Sequence, residues 1–203
     1  MAIHVVVNPD VITGSTFERA YLDVSGEPAS ANVTYTVYPI GLPAQTAVVP
    51  MNAANFATSP DLFVMSSNRT ALIMARTTDP STPSNAVLRQ NMGATKEALA
   101  VPSSNVNMGR AFNVPVGDLS GGGYLFVGNP NLVPAIVQLR YGNSGAQPLP
   151  GGTVPATSAL KIPIAPSPIN TNLIINITTD EPVVCQAVIG MRFMIVYPIV
   201  AAT

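Results

Sequence analysis

Short apolar runs dominate the chain, and where they alternate with polar residues the period is two. Val33, Tyr35 and Val37 are separated by Thr34 and Thr36, the pattern of a strand with one buried face. Other strand-length runs are Ile3–Val7, Arg19–Val24, Leu62–Met65, Ala71–Arg76, Tyr124–Val127, Ala135–Tyr141, Leu160–Ile164, Leu173–Thr178, Pro182–Ile189 and Phe193–Ile199. Clusters such as Ser25-Gly26-Glu27-Pro28 and Asp118–Gly123 break them with turn chemistry. Pro39, Pro43 and Pro50 punctuate short extended pieces, including Thr46–Val49, that belong at sheet edges or in loops. With 20 prolines, the chain has little room for a long helix. Its only helix-friendly runs, Ser84–Met92 and Ala94–Ala100, follow the linker-like cluster Asp79-Pro80-Ser81-Thr82-Pro83.

The order of these runs repeats. Leu62–Arg76 lies over Leu173–Ala187 without a gap, each with two apolar runs flanking a polar break. Tyr21, Leu22, Val24 and the run Val33, Tyr35, Val37 answer to Tyr124, Leu125, Val127 and Val137, Leu139, Tyr141. The expected fold is therefore all-β: two tandem immunoglobulin-like β-sandwich domains, or jelly-roll-like ones, related by internal duplication. The first spans 1–105, with an N-terminal arm and a crossover linker over 77–105; the second spans 106–203.

Within the second half, Gly128-Asn129-Pro130 follows a strand, and Thr179-Asp180-Glu181-Pro182-Val183 separates two more. With Ala135–Tyr141 and Leu160–Ile164, these features resemble the sandwich of the sensory rhodopsin transducer family over Tyr124–Ile189. That resemblance implies the sandwich fold and carries no functional residue.

Charge changes the picture more than length does. Only 9% of the 203 residues are charged, against about 25% in ordinary globular proteins. Net charge is −1, with seven Arg, two Lys and no basic run, so a phosphate-tracking surface lacks its electrostatic basis and no nucleic acid is expected. A neutral surface of this kind suits burial against neighbours in an assembly. The N-terminus has no basic segment ahead of an apolar one, so no signal peptide is expected. Val183–Thr203 is apolar, but Gly190, Arg192 and Pro198 interrupt it, and two buried strands fit better than a membrane span.

Candidate chemistry is sparse. His4 and Cys185 are the only residues of their kinds. Cys185 lies in an apolar run and is expected to be a small buried hydrophobe. His4 is expected on an exposed strand or at an interface. Asp180-Glu181, the one adjacent acidic pair, is expected on a solvated hairpin turn. Asp118-Leu119-Ser120-Gly121-Gly122-Gly123 has neither the spacing of a serine-protease segment nor the glycine of a nucleophile elbow. No catalytic, cofactor-binding or metal-ligating residue is expected, and no cofactor.

Of eight methionines, Met51, Met92 and Met108 fall in predicted loops, where a partner would cover them. With Phe56 they form the candidate interface, supplemented by the loops at 77–93 and 143–153. The expected function is that of a non-enzymatic structural subunit of a large assembly, a bacteriophage virion protein such as a capsid decoration, head-fibre or tail component. Its partners would be copies of itself and capsid or tail proteins. It would be made in the host cytoplasm and end in the virion, without membrane contact. The alternatives are a small cytoplasmic ligand-binding or signalling module of the rhodopsin-transducer type, and a surface adhesin or carbohydrate-binding module.

Overall fold

The computed structural model describes residues 3–10, 17–26, 31–78, 84–92, 97–102, 108–115, 121–142, 148–166, 174–189 and 192–195. The chain is all-β and divides into two compact units, Met1–Asn105 and Val106–Thr203.

The first unit holds β1 (Ile3–Asn8), β2 (Phe17–Ser25), β3 (Asn32–Pro39), β4 (Gln45–Pro50), β5 (Phe56–Thr58), α1 (Leu62–Ser66), β6 (Ala71–Thr77), β7 (Asn85–Met92) and β8 (Glu97–Pro102). One antiparallel sheet runs β1-β6-β3-β4 and the other β5-β2-β7-β8. The alternation in β3 is used as its sequence dictates: Val33, Tyr35 and Val37 are fully buried between the sheets. The Tyr35 hydroxyl donates to the Ala57 carbonyl of β5 across 3.0 Å, so its polar end is satisfied in the core.

Two expectations fail here. Leu62–Met65 is helix rather than strand. Asp61 caps it by accepting from the Phe63 N–H at 3.0 Å, and the left-handed Ser67 and Asn68 end it (φ 53° and 58°). Conversely, the helix-friendly run Ser84–Met92 forms β7, and β8 occupies part of the supposed linker. In β7 every second residue, Ala86, Leu88 and Gln90, is buried. The polar Gln90 at an inward position hides the two-residue period from a reading of the sequence.

The second unit holds β9 (Met108–Pro115), β10 (Gly123–Asn129), β11 (Ala135–Tyr141), β12 (Pro148–Val154), β13 (Ser158–Ile164), β14 (Ile174–Ile189) and β15 (Arg192–Ile195). The predicted hairpin at Thr179–Val183 is absent, because β14 runs through it as one 16-residue strand. Its first half pairs with β11 and with most of β9, and its second half with β10 and β15. The register with β9 shifts between Thr178 and Val183, the stretch in which β14 exchanges β11 for β10 as a partner. Phe112, Leu125, Val127, Val137, Ile175 and Ile177 lie in the core that results.

The pairing scheme of the first unit recurs in the second. There, β12-β11-β14(first half)-β9 matches β4-β3-β6-β1, and β13-β10-β14(second half)-β15 matches β5-β2-β7-β8. The alignment of Tyr21–Val37 with Tyr124–Tyr141 falls on these matched strands. The gapless alignment of Leu62–Arg76 with Leu173–Ala187 does not, since it lays a helix over a strand and β6 over the wrong half of β14. In each unit the second and fifth strands pair, and the third with the sixth, as in an immunoglobulin sandwich. The first and seventh strands have changed sheets relative to that plan: the first lies beside the sixth, and the seventh beside the second. Among the described residues, no helix is long and apolar enough to cross a membrane.

Candidate interaction site

His4 is not exposed: it is fully buried on β1, and its Nε2 lies 2.8 Å from the Ser84 hydroxyl at the entry to β7. The distance is that of a base and a nucleophile. Both side chains are buried, however, so the bond ties the two sheets together and offers no path to a substrate. On the outer face of the β5-β2-β7 sheet, Asp23 accepts from Arg89 Nε at 3.0 Å and from the Thr58 hydroxyl at 2.9 Å. The Arg89 guanidinium stacks 5.2 Å from the Tyr21 ring centre. Asp23, Thr58, Arg89 and Tyr21 thus contact one another, as befits a surface brace. No group of three His, Cys, Asp or Glu among the described residues could hold a metal. Cys185 is buried in the second core, and burial pushes its thiol pKa far up, so no reactive thiolate forms there.

An exposed apolar feature stands on the loop from β10 to β11, Pro130-Asn131-Leu132-Val133-Pro134. Leu132 is 89% exposed, Val133 49% and Ile136, at the start of β11, 51%. An apolar tip of this kind is normally mobile or covered; this one is braced from below. Asn129 is fully buried, and its two Nδ2 protons are shared among the carbonyls of Val133 (2.8 Å), Val154 (3.2 Å) and Pro155 (3.1 Å). Its Oδ1 accepts from Asn131 N (3.0 Å) and Asn131 Nδ2 (2.7 Å). Asn131 Nδ2 also donates to the Pro182 carbonyl of β14 at 2.8 Å.

Two further contacts close the cluster. Thr157, between β12 and β13, donates its N–H to the Asn131 carbonyl at 2.9 Å. It holds a left-handed conformation (φ 47°) that a β-branched residue rarely adopts. Asp180 lies on the continuous β14 rather than on a solvated turn, and accepts from the Ile136 N–H at 2.7 Å. Its neighbour Glu181 pairs with Arg110 Nη2 at 3.4 Å. Three segments distant in sequence thus meet beneath Leu132 and fix it in place.

The sequence-predicted contacts fare unequally. Met51 is buried, its N–H donating to the Ala31 carbonyl at 3.0 Å, so it fills its own core and presents nothing to a partner. Phe56 on β5 is 36% exposed and Met108 on β9 43%. The Met92 side chain lies outside the described residues, as does 143–147 of the second candidate loop. Met51 and Phe56 share the Asn52 turn, in which Asn52 N–H donates to the Phe56 carbonyl at 2.9 Å, whereas Met108 belongs to the other unit. Sequence reasoning missed Leu132 and Val133. The available signal was an adjacent apolar pair set between two prolines, with an asparagine at either end of the first turn.

Comparison with known proteins finds no matching family model, no matching curated protein and no matching solved structure.

Proposed function

We propose that this chain is a non-enzymatic structural subunit of a large assembly, of the kind found in bacteriophage virions as capsid decoration, head-fibre or tail proteins. The observation that carries the reading is the exposed Leu132 on a loop whose flanking residues are hydrogen-bonded by Asn129 and Asn131. A loop ordered before contact loses little conformational entropy on docking, so its apolar area is available for binding. Aliphatic residues on such a tip suit an apolar pocket on a neighbouring subunit, and sparse charge keeps the surrounding surface compatible with close packing. The repeated pairing scheme supports an internal duplication that gives one chain two similar modules. Many modest contacts then add through copy number.

The test is fractionation of the source material on a density gradient with an antibody raised against the purified chain. Co-migration with particles is expected, and Leu132→Asp combined with Val133→Asp releases the protein into the soluble fraction. Recovery of the native protein only as a soluble species, free of particles, overturns the reading.

A further inference from the structure

Sheets end in strands whose outer N–H and C=O groups lack partners, and proteins usually obstruct these edges with prolines, charges, bulges or short length. The chain does so at most of its edges, and β1, which has neither charge nor proline, is instead buried from His4 to Asn8. β5 has three residues, β9 carries Arg110, β13 carries Lys161 and Pro163, β15 carries Arg192, and β8 begins with Glu97. The clearest case is β12. Pro148 and Pro150 remove donors, and the register with β11 breaks between Val137 and Leu139. At Gly151 any side chain would collide with the Val137 carbonyl oxygen.

β4 is the matched strand of the first unit and has none of this. Gln45–Val49 holds no charge and no proline, and Pro50 stands only at the end. Its register with β3 is unbroken from Asn32↔Pro50 to Val37↔Gln45. Its residues are exposed or half-buried, Val48 being 61% exposed, and among the described residues no strand pairs with its outer edge. Unlike its equivalent β12, β4 is unobstructed, and unlike the buried β1 it is exposed or half-buried along its length.

We infer that β4 is a homodimer interface, adding antiparallel to β4 of a second copy to give a continuous sheet β1-β6-β3-β4·β4-β3-β6-β1. A two-fold axis through the strand pair satisfies both edges at once. Identity of the partners favours this occupant. The outward residues Thr46 and Val48, and Thr34 and Thr36 beside them, are uncharged, so two copies meet without like-charge repulsion. The inference rests on edge geometry and is independent of any virion role.

Sedimentation velocity over a range of concentrations tests it, with thermal melts to verify folding. Wild type is expected to dimerise, and Val48→Lys, which sets two ammonium groups near one axis, to weaken dimerisation by about tenfold or more. Thr153→Lys on the obstructed β12 is expected to leave it unchanged. Cys185 is buried, so Thr46→Cys or Val48→Cys introduces the one accessible thiol. Mild oxidation of at least one of them is expected to give a disulfide-linked dimer without unfolding. A wild type that stays monomeric, or an oligomer that Val48→Lys leaves intact, overturns the inference. Neither result bears on the gradient experiment, so the two ideas fail separately.

Discussion

Gln90 Nε2 donates to Asn8 Oδ1 across 2.7 Å, joining β7 of one sheet to β1 of the other with both side chains fully buried. With the bond from His4 to Ser84, it makes a polar seam between β1 and the start and end of β7. Among the described residues, Asn8 Nδ2 makes no hydrogen bond. A buried amide that satisfies only part of its capacity stabilises less than it specifies.

A double-mutant cycle therefore has a defined expected outcome. Asn8→Leu alone leaves the Gln90 amide short of its acceptor and costs about 1–3 kcal/mol in urea unfolding. Asn8→Leu with Gln90→Met removes both polar groups and recovers most of that loss. Equal destabilisation by the single and double variants would show that packing volume, not polarity, governs the seam.

Asn129 is the keystone of the Leu132 loop. Asn129→Ala removes the donor to the Val133, Val154 and Pro155 carbonyls and one acceptor of Asn131, at a cost of about 2–4 kcal/mol to the second unit. Amide exchange at Asn131 and Thr157 should accelerate in the same variant, and a loop that stays protected would contradict the bracing argument.

Leu132 and Leu125 offer a matched comparison. Leu125 is 1% exposed in the second core, and Leu125→Ala should cost about 2–5 kcal/mol. Leu132→Asp should change unfolding free energy by no more than about 0.5 kcal/mol, because the side chain touches almost nothing of its own chain. Differential scanning calorimetry reads both.

Alkaline pH should destabilise both units. Burial raises the Cys185 thiol from its ordinary 9.0. Burial first, and Asp23 second, raise the Tyr35 phenol from 10.0. Folded, each keeps its proton where the unfolded chain has lost it. Their contribution is thus undiminished below the unfolded values and declines as pH rises above them, by up to about 1.4 kcal/mol per pH unit for each group. Urea midpoints followed from about pH 8 to pH 11 should fall, and Cys185→Ala should remove its share of the slope.

Some of this was legible without coordinates. The strict alternation of Val33–Val37 makes β3 a one-face-buried strand in any sandwich, and turn clusters with evenly spread prolines force short strands. The match of Tyr21–Val37 to Tyr124–Tyr141 follows from the same periodicity, because inward positions must be apolar in both places. The low charge and the lone buried Cys185 were likewise plain from the residues.

Other features depend on which strands meet. In β1 the sequence shows Ile3, Val5 and Val7 as the apolar face, yet His4, Val6 and Asn8 point toward the opposite sheet; only the presence of Ser84 and Gln90 there makes polar inward residues tolerable. Leu62–Met65 is apolar enough for a strand, and the Asp61 cap with its buried surroundings makes it a helix. Leu132 has no periodic signature, because its rigidity comes from Asn129, Thr157 and Pro182 converging from three segments. Local pattern decides which residues prefer to leave water, whereas the pairing of distant strands decides what each buried or exposed group finds beside it.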